Sequence, residues 1–94
     1  MTITAKFLGV LRHISGADEL ALNITGAISV KELMNEIVRE KPALKPSLTG
    51  PQLEDLRSNA LILVNGREIS VLNGLESKLK DGDEIVFVPF VHGG

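Results

Sequence analysis

An α+β fold, in which a small mixed β-sheet packs on one main helix, is predicted by three features of the sequence. Residues 30–38 space their apolar side chains as one face of a helix does. Other segments are apolar or alternating at strand length, and turn-forming pairs punctuate them. With 94 residues there is room for one domain, expected over residues 1–90, with residues 91–94 as a flexible tail.

Thr2 to Leu11 combines Thr, Ile, Phe, Leu and Val without proline or helical spacing, which predicts a strand closed off by Ser15-Gly16. After a loop at Ala17 to Glu19, Leu20, Leu22 and Ile24 alternate with Ala21, Asn23 and Thr25, a half-buried strand that pairs antiparallel with the first. Ser29-Val30-Lys31-Glu32 fits a capping box, with Ile28 and Leu33 at the staple positions. Val30, Leu33, Met34, Ile37 and Val38 then form one apolar stripe, and the helix is expected to end near Lys41 because Pro42 disfavours helical geometry before it.

Ala43 to Asn59 contains Pro46, Gly50 and Pro51 and reads as a surface connection, with a short helix over Pro51 to Arg57. Ala60 to Val64 is a continuously apolar strand leading into Asn65-Gly66, the pair suited to a type I′ turn, and Arg67 to Ser70 returns as a short strand. Asp81-Gly82 is a further turn, and Glu84 to Phe90 is the last strand, with Pro89 confined to its end or to an unpaired N–H position. Laying the last strand parallel to the first satisfies the right-handed crossover and gives a β-grasp, or ubiquitin-like, roll. A ferredoxin-like arrangement needs a second long helix, which Pro46, Gly50 and Pro51 do not allow.

Composition narrows the function. Ten Lys plus Arg against twelve Asp plus Glu, a net charge of −2, is the wrong sign for neutralising phosphates, and three Phe with no Tyr or Trp give little for bases to stack on. No direct nucleic-acid partner is expected. Without Cys there is no disulfide, thiolate metal site or thiol nucleophile, so any sulfur must come from elsewhere. The longest apolar run, Ile85 to Val91, is seven residues, too short to cross a bilayer, and Met1 to Gly16 lacks a secretory pattern; no membrane and a cytoplasmic location are expected.

The catalytic inventory is thin. His13 and His92 are the only imidazoles, and His13, beside Arg12, reads as a solvated strand-end residue rather than a base. Asp81, Asp83 and Glu84 lack the full register of a calcium loop and fit a turn better, and no phosphate-binding glycine motif occurs. Neither metal nor cofactor is expected on this chain. The ending Val91-His92-Gly93-Gly94 is different: a tip without side chains can enter a narrow site, although terminal glycines also occur in frayed ends.

Lys6-Phe7-Leu8 through Leu11-Arg12 with Gly16, Ser29-Val30-Lys31-Glu32-Leu33, Leu63 to Ile69, Leu79 to Ile85 and the Gly93-Gly94 tail together resemble the MoaD-type and small archaeal modifier family of ubiquitin-like sulfur carriers. The likeness covers nearly the whole chain, with Leu44 to Asn59 the variable part. Where that family usually has Pro-Pro-Val and a small residue before Gly-Gly, this chain has Pro89-Phe90-Val91-His92, and His-Gly-Gly resembles the ubiquitin-related modifiers. The resemblance implies that an E1-like adenylating enzyme uses ATP and magnesium to activate the Gly94 carboxylate. A sulfur donor protein then makes the thiocarboxylate. The recipient is either the large subunit of a molybdopterin synthase or, for a modifier, a target lysine; tRNA thiolation is a further use.

A docking face follows from the strands alone. With Ile85 and Phe87 facing the helix beside Ile3, Ala5 and Phe7, the side chains of Leu8, Val86 and Val88 point outward near the tail, where they meet a partner or lie under the Leu44 to Asn59 connection. Arg12 matches the family's arginine after the first strand and either anchors a partner carboxylate or pairs with an acidic loop residue. The expected partner-contacting set is Leu8, Arg12, Val86, Val88, Phe90, Val91 and His92. Gly94 is expected as the reactive end and Gly93 as its flexible joint, with His92 a neutral spacer or a modulator of the tail's reactivity.

Overall fold

In strand β1 (Thr2–Phe7), Ile3, Ala5 and Phe7 are fully buried while Thr4 and Lys6 between them are not, the period-two burial of a sheet with one covered face. The computed structural model describes residues 1–48 and 60–89. β1 stops at Phe7, short of the expected Leu11. Gly9 takes a φ of 55°, open to glycine and costly for other residues, and the chain turns into helix α1 (Val10–Ser15). Leu11 is buried there, and Gly16 N–H donates to the Arg12 carbonyl at 2.9 Å to close the helix. Six helical residues are too few to show a period, so the strand-like composition dominates the local sequence signal.

β2 (Glu19–Asn23) lies antiparallel to β1 as expected, with Ile3 opposite Leu22. After the two-residue β3 (Ile28–Ser29), helix α2 (Val30–Glu40) starts with the capping box in full. Ser29 Oγ accepts from Glu32 N–H at 3.1 Å, and Glu32 Oε1 accepts from Ser29 N–H at 2.9 Å. Val30, Leu33, Met34 and Ile37 are buried, and the helix closes on Lys41.

The next segment departs from the expected surface connection. A 3₁₀ turn (Pro42–Leu44) and helix α3 (Lys45–Leu48) follow, and Leu44 and Leu48 are buried in the same core as α2. Proline is tolerated because both Pro42 and Pro46 fall in first turns, where no intrahelical N–H is needed. The short helix expected over Pro51 to Arg57 lies outside the described residues.

β4 (Ala60–Val64) and β5 (Arg67–Glu68) form the hairpin around Asn65 (φ 50°) and Gly66 (φ 85°). β5 is shorter than the expected Arg67 to Ser70, because a 3₁₀ turn (Ile69–Val71) begins at once and buries Ile69. β6 (Lys78–Leu79) pairs antiparallel with β3 in a small second sheet, which two-residue strands leave no alternation to reveal. β7 (Glu84–Pro89) completes the main sheet, whose order is β2-β1-β7-β4-β5. β7 is parallel to β1 and antiparallel to β4. Stacked Phe7 and Phe87 rings, 5.9 Å between centroids, join the two central strands in the core. Among the described residues no helix is long and apolar enough to cross a membrane.

Candidate functional site

β7 sits between β1 and β4, so the chain that follows Pro89 leaves from the middle of the sheet. Its alternation buries Ile85 and Phe87 against the core and turns Val86 and Val88, both half-buried, to the open face. Register places Leu63 opposite Val86 and Leu61 opposite Val88, so four aliphatic side chains share that face. Leu61 and Leu63 are half-buried as well. In the parallel direction Val86 aligns with Lys6, and the Leu8 N–H donates to the Phe87 carbonyl at 3.1 Å, which carries the pairing one residue beyond β1.

Leu8 is 42% exposed and Val10 56% exposed. Between them Gly9 lies so close to the end of β7 that a Cβ added there would stand 3.1 Å from Pro89 Cγ. The β1–α1 corner and the last residue of β7 are thus in van der Waals contact. Glycine is required there twice over, by its positive φ and by this approach. The other half of the open face is polar. Lys6 Nζ and Glu84 Oε2 pair at 2.9 Å, and the hydrogen bond, then the charge, of Glu84 raise the Lys6 ammonium above its ordinary 10.5.

Of the residues expected at the site, Leu8, Val86 and Val88 are outward as read from the strand. The described part of the Leu44 to Asn59 connection packs into the helix-side core rather than over this face. Arg12 stands on α1, not on a strand end, and its Nε lies 3.6 Å from Asp18 Oδ1 in an exposed pair of little energetic weight. His13 is exposed on the same helix. Phe90, Val91, His92, Gly93 and Gly94 lie outside the described residues. Sequence reasoning missed Leu61 and Leu63, because Ala60 to Val64 is apolar at every position and hides its own alternation. It missed Gly9 as well, whose only signal was a glycine inside an apparent strand.

With its last strand central in a mixed sheet, a half-buried aliphatic strip on the sheet's open face and one capped main helix under it, the molecule is a ubiquitin-like β-grasp protein. The chain belongs to the ThiS family, which it matches over residues 5–94, and so to the ubiquitin-like sulfur carriers and modifiers. It is 27% identical over 96 residues to small archaeal modifier protein 3 of Haloferax volcanii, covering 100% of both chains. Ubiquitin-related modifier 1 of Schizosaccharomyces pombe is 32% identical over 101 residues, again with 100% of each covered. Among solved structures, small archaeal modifier protein 1 of Methanosarcina acetivorans superposes with a TM-score of 0.78 at 32% identity, covering 99% of this chain and 96% of that one. A chain in the complex of subunits 1 and 2 of the molybdopterin-converting factor from Helicobacter pylori gives 0.60 at 28% identity, with 100% of both covered.

Proposed function

We propose that this chain carries sulfur on the Gly94 α-carboxylate, in the manner of the small subunit of a molybdopterin synthase. The observation that supports this most directly is that the family match runs to residue 94, while the aliphatic strip of the open face runs along β7 to the last residues before that tail. A carboxylate is a poor electrophile and this chain has no nucleotide motif, so activation belongs to an E1-like partner supplied with ATP and magnesium. A carboxylate oxygen attacks the α-phosphorus and pyrophosphate leaves. Hydrosulfide then attacks the acyl carbon, AMP departs with the C–O electrons, and the proton from sulfur goes to solvent, leaving a thiocarboxylate. A sulfur donor protein supplies that sulfur in the cell.

In this reading Leu8, Val86 and Val88, with Leu61 and Leu63, are the surface on which the activating enzyme and the sulfur-accepting subunit dock. Phe90, Val91 and His92 span the gap to the partner's active site, His92 as a neutral spacer, and the glycines enter it. Arg12 exchanges its weak pair with Asp18 for a partner carboxylate. Protein conjugation is the second reading, favoured by the full-length likeness to ubiquitin-related modifier 1. There a lysine Nε of the target replaces sulfide as the nucleophile on the activated carbonyl and an isopeptide bond forms. tRNA thiolation would use the same thiocarboxylate with another acceptor.

Incubation with the E1-like enzyme of the same host, ATP, magnesium and sulfide tests the proposal by intact mass. The expected result is a gain equal to exchange of one oxygen for sulfur, absent when Gly94 is deleted. Val88→Asp is expected to raise the KM of the activating enzyme about tenfold, since an aliphatic contact is lost and a charge is desolvated; Val88 is half-buried on a central strand, so the unfolding midpoint also falls and the KM is read where the variant is still folded. No mass gain, with the enzyme proven active on another carrier, would overturn the reading in favour of a β-grasp interaction module that is never activated.

A further inference from the structure

Besides Leu8 and Val10, the large hydrophobic residues exposed among the described residues are Val71, 71% exposed, and Leu72, 37% exposed. They belong to a different region, at the 3₁₀ turn after β5. Leu72 lines a shallow groove of about 300 Å³ with Val64, Arg67, Lys78 and Lys80, and Val71 precedes it as the last residue of the exposed turn. Three cations stand around one exposed apolar side chain, Leu72, with Val64 buried beneath, on a chain whose net charge is −2.

The acidic residue in the groove is Asp83, and it is already committed. Asn65 Nδ2 donates to its Oδ1 at 2.9 Å and the Lys80 backbone N–H to its Oδ2 at 2.7 Å, with the side chain buried. Behind the Ser29 hydrogen bonds, the charge of Lys78 adds the smallest contribution to lowering the Glu32 carboxyl. Arg67 and Lys80 have no carboxylate within 4.0 Å among the described residues. The groove therefore offers two cations unpaired among the described residues, beside an exposed aliphatic contact. It lies where β7 begins, since Val64 pairs with Ile85 and the Asn65 N–H donates to the Glu84 carbonyl, at the opposite end of that strand from Pro89.

We propose that this groove is a second docking surface, for an acidic peptide segment that presents a large apolar side chain to Leu72 and carboxylates to Arg67 and Lys80. The chemistry favours a peptide over nucleic acid, because the described groove has no aromatic ring for a base and the chain as a whole is acidic. A flexible acidic segment would gain from the charges chiefly in encounter rate and orientation, and from Leu72 in residence time. The inference goes beyond the sulfur-carrier reading and stands without it. Its geometric consequence is that such a partner holds the protein while the Pro89 end stays free.

The test is a nitrogen-15 chemical-shift titration of the full-length protein with short synthetic peptides. The probe carries Leu between Asp and Glu residues; its controls replace Leu with Ser, or the acids with Lys, and a short polyuridine is run alongside. Saturable shifts confined to Val64, Arg67, Val71, Leu72, Lys78 and Lys80, weakened about tenfold by Arg67→Glu with Lys80→Glu, support the proposal. So does a loss of binding with the Ser control. The unperturbed remainder of the spectrum shows that the variant is folded. The proposal fails if no saturable shift occurs, if polyuridine or the Ser control binds as well as the probe, if the shifts fall on Val86 and Val88, or if dilution alone produces them, which would make the occupant a second copy of the chain.

Discussion

Where β7 begins, the Glu84 N–H donates to Asn65 Oδ1 at 2.9 Å, the Asn65 N–H donates to the Glu84 carbonyl at 2.8 Å, and the buried Asp83 carboxylate takes two further donors. The neighbouring Asp81 accepts from the Thr2 N–H at 2.7 Å, tying the turn to β1. Where β7 finishes, Pro89 has no N–H to give; it lies opposite Ala60 and against Gly9, whose chain neighbours Leu8 and Val10 are exposed. The first end is fixed by directional bonds that admit one register. The second is held by pairing to β4 and by shape, and keeps apolar surface that nothing within the described residues covers. One strand thus has a polar, tightly bonded start and an apolar, partly open finish.

The comparison breaks most completely if the strand's middle is removed. Phe87→Ala deletes a fully buried ring and its stacking on Phe7, and should cost about 3–5 kcal/mol in urea unfolding, loosening both ends together. Asp83→Ala attacks the polar end alone. It strands the Asn65 side-chain amide and the Lys80 N–H, with an expected loss of about 2–3 kcal/mol and amide exchange faster at Glu84 than at Val88. At the other end, Gly9→Ala meets both a positive φ and Pro89, for about 2 kcal/mol, with the exchange pattern reversed. Equal acceleration at both ends in either variant would mean that the two ends of β7 open as one unit.

The smallest effect lies away from β7 and serves as its control. Ser29→Ala should cost about 1 kcal/mol near neutral pH by opening the capping box. Hydrogen bonds from Ser29, backbone first and then side chain, hold the Glu32 carboxyl below its ordinary 4.5. A depressed folded pKa means stability present above the unfolded value and lost as pH falls through the folded one. Alanine keeps the backbone bond and loses the hydroxyl's share, so the gap between wild type and Ser29→Ala in urea midpoint should narrow as pH falls through the depressed Glu32 value.

α2 was legible because its stripe, its box and its terminating Pro42 all sit in contiguous sequence and agree. β7 and its parallel pairing to β1 were legible for a second reason: handedness leaves few places for a last strand. What escaped was set by tertiary contact. Residues Val10–Ser15 are β-rich in part yet helical, because Gly9 turns the chain and Leu11 finds a place in the core. Leu44 and Leu48 sit among prolines yet are buried, since two short turns bring them under α2. At the candidate site, outward Val86 and Val88 followed from alternation, whereas Leu61 and Leu63 needed the β4–β7 register to be placed beside them.

The adjacency of β1 and β7 has a consequence in time. Phe7 is aligned with Phe87, so the centre of the sheet joins the two extremes of the folded sequence. Pairings of such separation are costly in loop entropy and close late. A nascent chain halted before Glu84 has β1 flanked by β2 alone, and neither the aliphatic strip nor the Gly9–Pro89 contact exists in it. The assembled strip is therefore a mark of the folded sheet, present only once β7 has paired with both β1 and β4.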